Sequence, residues 1–177
     1  MKPTIRNVAL AAVLGTAVIS NLAACAAELK TEVAQAITAF NNADSSMKKL
    51  FDDSPGYVVF PSVGKAGLII GGEKGSGLVY EKGKLVGQAK VTEINIGAQV
   101  GAEHFYEVIF FQTPDALQTF KESKCELAAE VTAVAAAAGA AQNAKYQQGV
   151  AIFTLPRGGL MVQASVGGQK FKFKPIE

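Results

Sequence analysis

Few side chains in this sequence are suited to chemistry, and the one best placed for it is a thiol. Cys25 lies in a stretch without charge that runs from Asn7 to Ala27, directly after Leu22, Ala23 and Ala24. A cysteine thiolate is a strong nucleophile. The two small residues before it let a narrow enzyme groove accept the backbone, and Leu22 supplies an apolar anchor. That pattern fits a cysteine that is modified by another enzyme, with the chain cut between Ala24 and Cys25. The second cysteine, Cys125, has Lys124 on one side and Glu126 on the other, so nothing nearby favours its thiolate, and it reads as half-buried and inert. With Cys25 modified, Cys125 has no partner for a disulfide within the chain.

The remaining candidates carry less. His104 is the single histidine, and a metal site around it would depend on Glu103 and Glu107, without the cysteine or second histidine that structural zinc requires. No metal or other cofactor is expected. Beside Glu103 at a strand start, His104 reads as a surface or edge residue. Ser62, Ser76 and Ser165 lack the strained strand-to-helix turn of a nucleophile elbow. The glycines of residues 71–77 lack the GxxxxGK[ST] order and lead into Leu78-Val79-Tyr80, not into a helix, so they read as turns and bulges, not a phosphate cradle. Lys170, Lys172 and Lys174 alternate with Phe171 and Phe173. In a strand this period of two puts three ammonium groups on one face. Such a face suits an anionic lipid surface, each lysine adding about 1 kcal/mol, and it equally suits an edge strand that must stay soluble.

The elements around these residues follow from pattern. Lys2 and Arg6 precede an alanine-rich stretch broken by Gly15, Thr16, Ser20 and Asn21. This is the layout of a secretory signal, and it is too short and interrupted for a spanning helix, which needs about 20 apolar residues. Seventeen basic and fifteen acidic side chains, Lys2 and Arg6 among the former, leave the rest of the chain balanced. Attraction to nucleic acid is not expected. The mature length fits one domain.

Apolar Leu29, Val33, Ile37, Phe40, Met47 and Leu50 recur at helical spacing, predicting an amphipathic helix over 26–51. A break is expected at Asn41-Asn42, with Asp44 capping the second part and Pro55-Gly56 ending it. Valine-, isoleucine- and aromatic-rich runs then predict strands at 57–60, 66–70, 77–80, 85–94, 104–112, 150–155 and 160–166. Residues 81–84 form a hairpin turn and 156–159 another. Thr113-Pro114-Asp115 starts a short helix with Leu117 and Phe120 inward. Alanine content alone favours helix over 125–144.

Gly56-Tyr57-Val58-Val59-Phe60-Pro61-Ser62-Val63, then Lys65-Ala66-Gly67, Gly71-Gly72 and Gly75-Ser76-Gly77, resemble the opening of a SYLF domain. Asn95-Ile96-Gly97-Ala98-Gln99-Val100-Gly101-Ala102, with the strand and helix after it, is similar to the family's middle block, and Gly158-Gly159-Leu160 to its last. The resemblance spans roughly 33–166. It implies strand and loop, not helix, where this sequence has its alanine block at 135–141. Eukaryotic members bind phosphoinositide-rich membranes and act with the actin machinery, and they reach anionic membranes through a basic, amphipathic N-terminal extension, whereas Glu28, Lys30 and Glu32 make the corresponding segment here balanced. Leu22-Ala23-Ala24-Cys25 is likewise similar to the lipobox of bacterial lipoproteins. That resemblance implies diacylglycerol and acyl chains on Cys25 and, with Ala26 following, an outer-membrane address in the cell envelope.

The expected molecule is an α+β protein: a glycine-rich, mainly antiparallel sheet or barrel-like body with a flanking N-terminal helix and a short mid-chain helix. Residues 1–24 are a signal peptide, 25–32 a lipidated tether and 33–177 a SYLF-like domain. The expected function is non-catalytic phospholipid binding at a membrane, with Cys25 as anchor and Lys170, Lys172 and Lys174 as headgroup ligands. The alternative is an envelope lipoprotein that binds another protein and touches lipid only through its anchor.

Overall fold

The computed structural model describes residues 8–66, 75–93, 102–122, 133–157 and 169–176. Its elements are α1 (Val8–Ala43), α2 (Met47–Asp53), β1 (Gly56–Ala66), β2 (Gly75–Glu81), β3 (Lys84–Glu93), β4 (Ala102–Phe111), α3 (Pro114–Lys121), β5 (Val134–Ala135), β6 (Val150–Pro156) and β7 (Gln169–Pro175), with a 3-10 turn at Ala141–Asn143. The strands form one sheet in the order β5-β6-β4-β1-β2-β3-β7. Every pairing is antiparallel except the short β5–β6 contact.

Central strand β1 is apolar at consecutive positions because both faces of the sheet are covered. Val58 and Phe60 face one way, joined by Ile109, Phe111, Val150, Ile152 and Phe171, and α3 closes that side with Leu117 and Phe120. Tyr57 and Val59 face the other way with Leu78, Phe110 and Phe153, under Val33, Ala36 and Phe40 of α1 and Met47 and Phe51 of α2. A β-bulge between Phe60 and Val63 takes up Pro61, which has no N–H for the ladder. The extra residue returns Val63 to the α3 side, opposite Phe105.

The sheet coils around α3. Phe171 on β7 lies 5.3 Å from Phe120 and 5.9 Å from Phe60, ring centre to ring centre. Gln169 Nε2 donates to Glu107 Oε2 at 3.0 Å, although β7 ends the sheet and β4 lies near its other side. Each buried phenylalanine contributes about 1.5–3 kcal/mol, so the ring cluster on this face is a main source of stability.

Local signals behave as their chemistry requires. Thr113 Oγ1 accepts from the Ala116 amide at 3.2 Å, and Pro114 occupies the first turn of α3. Lys82 (φ 49°) and Gly83 (φ 74°) form the two-residue turn between β2 and β3, as a type I′ hairpin demands. Lys121 at the end of α3 pairs with Glu81, and this partner holds the Glu81 carboxyl below the ordinary carboxylate range.

Three expectations change. The helix does not break at Asn41-Asn42: α1 runs on to Ala43, and the chain turns at Asp44, whose amide still donates to Phe40 O at 2.9 Å. Asp44 is not itself the residue before α2, a position held by Ser46. Its carboxylate instead accepts from the Ser46 amide at 3.0 Å, the Ser46 hydroxyl at 2.6 Å and the Ala141 amide at 2.8 Å. The described part of the alanine block, from residue 133, is strand, loop and 3-10 turn, as the family resemblance implies and helix propensity does not. Alanine's propensity is a fraction of a kcal/mol per residue, and the Asp44 contact with Ala141 fixes this segment otherwise. The expected strand at 160–166, most of that at 66–70, Cys125, and Gly158 and Gly159 of the expected turn lie outside the described residues.

Two measurements check this packing. A Cβ on Gly87 would lie 2.2 Å from Phe173 Cε2 and 2.7 Å from Lys174 O, so β7 must move, whereas Gly83 has nothing within 4 Å and only its positive φ to lose. In urea unfolding Gly87→Ala is expected to cost about 1–3 kcal/mol and Gly83→Ala about 1 kcal/mol; a smaller loss at Gly87 than at Gly83 would contradict the close β3–β7 approach.

Asp44 is 3 % exposed. Burial pushes its pKa up, but the amide of Ala141, the hydroxyl and amide of Ser46 and the amide of Gly139 outweigh that and hold it at about 2, below 3.8. A depressed carboxylate stabilises the fold fully above its unfolded pKa and loses that contribution as pH falls. Asp44→Asn is therefore expected to cost about 1–3 kcal/mol at neutral pH, with the gap to the parent protein shrinking as pH drops from 3.8 towards 2. A gap independent of pH would contradict it.

Candidate functional site

Strand β7 presents the expected alternation. Phe171 is buried and Phe173 half-buried, while Lys170, Lys172 and Lys174 are exposed. The alternation puts the three ammonium-bearing side chains on one side of the strand. Register against β3 adds a fourth cation: Lys172 is directly opposite Lys90, with Lys170 opposite Thr92 and Lys174 opposite Gln88. Like charges directly opposite each other destabilise a sheet.

The face on which the row lies is fixed by register. Lys174 pairs with Gln88, Gln88 with Leu78 and Leu78 with Val59, and Val59 and Leu78 belong to the side covered by α1 and α2. The row therefore extends the helix-covered face beyond the helices. Ala24 and Cys25 lie within α1, and the side chain of Cys25 is outside the described residues. Val33 of α1, which is fully buried, follows Cys25 by about 12 Å of helix.

Among the described residues, the other candidates do not assemble into a catalytic centre. His104 is exposed, as expected of a surface residue, although β4 lies inside the sheet and not at its edge. Its Nδ1 lies 3.4 Å from Ser62 Oγ. Among the described residues no three His, Cys, Asp or Glu side chains gather where a metal ion could bind. Lys90 was not singled out from sequence, although the alternation of Gln88, Lys90 and Thr92 with Ala89 and Val91 marks it as outward-facing; its position beside Lys172 depends on strand pairing.

A family model described as "Ysc84: Las17-binding protein actin regulator" matches residues 92–175, which include β4, α3, β6 and the lysine strand. Beta cell expansion factor A of Aeromonas veronii is 31% identical over 132 residues, covering 73% of this chain and 50% of that protein. The chain thus spans about half the length of the curated relative it matches. The family match and this relative agree: the chain belongs to the SYLF (Ysc84) family.

Proposed function

We propose that this protein is a bacterial lipoprotein, held in the cell envelope, most simply at the outer membrane, by acyl chains on Cys25, and that its SYLF domain binds phospholipid without catalysing a reaction. The observation that carries the reading is the row of Lys170, Lys172 and Lys174 with Lys90 beside it, exposed on the face that α1 also covers. Phospholipid headgroups offer phosphate oxyanions to such a row. The absence of a nucleophile–base–orienter set among the described residues is compatible with a binding role and does not carry it. The description of the matching family names a protein partner and actin, so a protein-interaction role is the competing reading.

The test compares the full chain bearing Cys25→Ala with the same chain also bearing Lys170→Gln, Lys172→Gln and Lys174→Gln, in co-sedimentation with neutral and anionic vesicles. The apolar N-terminal segment is common to both, so the lysines are read from the ratio of anionic to neutral binding. That ratio is expected to fall by roughly a hundredfold at low salt and to be smaller in the parent at high salt. Unfolding stability is expected to stay within about 0.5 kcal/mol per substitution. Fatty-acid labelling in cells is expected to mark the unmodified chain and not Cys25→Ala. Equal binding to both vesicle types by the parent removes the headgroup reading and favours the protein-interaction role; labelling that survives Cys25→Ala removes the anchor.

A further inference from the structure

Away from the lysine row, the joint between α1 and α2 opens a cleft of about 450 Å³ over the β2–β3 turn. That volume is within the range of small-ligand sites, about 300–1,000 Å³. Its walls are Ile37 and Asn41 of α1, Lys48 and Asp52 of α2, and Lys82 of the turn, and its floor is aromatic, formed by Phe51 and Tyr57. These two rings meet edge to face at 5.0 Å, and Tyr57 stacks on Tyr80 at 5.0 Å.

The polar groups of the cleft have both signs and unmet hydrogen-bond capacity. Lys48 and Lys82 supply two ammonium groups, and Asp52 is one turn along the helix from Lys48. Asn41 Oδ1 is buried and, among the described residues, has no hydrogen-bond partner, a need that a donor arriving in the cleft would meet. The Tyr57 hydroxyl is a donor at any ordinary pH, because burial, then the neighbouring Tyr80 and Asp52, push its pKa up to about 12.

A purely anionic ligand would satisfy the lysines but would meet Asp52 and leave Asn41 Oδ1 unfilled. A purely cationic ligand would meet two lysines. A ligand with a phosphate at one end and an ammonium at the other fits both: the two lysines match the phosphate oxyanion, doubly charged in the free monoester and singly charged in a lipid's diester, while the ammonium's three donors reach Asp52 and Asn41 Oδ1 over aromatic rings that attract cations.

We propose that this cleft binds a phosphoethanolamine group, with Lys48, Lys82 and the Tyr57 hydroxyl on the phosphate and Asp52 and Asn41 on the ammonium. The group is either a free metabolite or the headgroup of a lipid; only in the second case does the site rest on the phospholipid reading above.

Calorimetric titration of the full chain with O-phosphoethanolamine, inorganic phosphate and ethanolamine tests this. O-phosphoethanolamine is expected to bind at least about tenfold more tightly than either fragment. Lys48→Gln with Lys82→Asn, the latter chosen because asparagine tolerates positive φ, is expected to abolish binding of O-phosphoethanolamine and phosphate alike. Asp52→Asn is expected to erase the preference for O-phosphoethanolamine over phosphate. Tyr57→Phe, which keeps the ring packing, is expected to weaken both and serves if the double variant does not fold. Lys30→Gln, at an exposed lysine outside both the cleft and the lysine row, is expected to leave these affinities unchanged. Vesicles containing phosphatidylethanolamine, compared with phosphatidylcholine at equal anionic content, distinguish the sources: a preference lost in Asp52→Asn indicates the headgroup, and its absence beside tight soluble binding indicates the free metabolite. O-phosphoethanolamine that binds no better than phosphate, or equally in Asp52→Asn, overturns the proposal.

Discussion

The structure depends on a central strand that buries residues on both of its faces. Tyr57, Val58, Val59 and Phe60 are all buried, so β1 cannot lie at a sheet edge or face water on either side. One cover is built from the first helices and the other from α3. The two covers differ in kind. The α1 and α2 side is a helical layer laid across strands, whereas the α3 side is largely the sheet itself, coiled until β7 reaches Glu107 of β4 and Phe120 of α3. A short helix of eight residues suffices there because Phe60, Phe111 and Phe171 fill most of the enclosed space.

The helical cover needs its own fixing point, which Asp44 supplies. It ends α1, holds Ser46 at the start of α2 and reaches Ala141 far along the chain. A buried carboxylate with several donors is costly to leave half-satisfied, so the three elements it joins hold one another in place. The cleft beside α2 is a consequence: α1 and α2 meet at a fixed bend, and the β2–β3 turn supplies part of the wall of the space inside it.

Much of this was legible in the residues. Period-two alternation placed Phe171 and Phe173 against Lys170, Lys172 and Lys174, and the Thr113-Pro114 start and the turn at 81–84 were local chemistry that tertiary contacts had no reason to override. The end of α1 was less legible. Asn41-Asn42 read as a break because asparagine is a poor helix former, but the side-chain contacts that stop the helix involve Asp44 and a residue 97 positions away, which no local pattern reports. In the alanine block, too, helix propensity was outweighed by distant contacts, and the strand and loop there were legible only through the family resemblance. Strand order was beyond local reading altogether, so Lys90 could be recognised as outward-facing but not as the neighbour of Lys172. The cleft was invisible in sequence because its lining comes from α1, α2, β1 and a turn, each unremarkable alone.

The lysine row and the proposed anchor are separated in the chain by most of its length, yet register ties them to one geometry. α1, which contains Cys25, covers the same sheet face on which Lys90, Lys170, Lys172 and Lys174 continue outward. A tether entering along that face limits the orientations the body can take relative to a membrane, and a cationic row on the same face favours those in which it approaches the headgroups. Neither contact requires the other. With the proposed anchor and headgroup contact both in place, the body would take a preferred orientation, since a tether raises the effective concentration of headgroups at the lysines, and about 1 kcal/mol per lysine would then suffice to hold the sheet edge down.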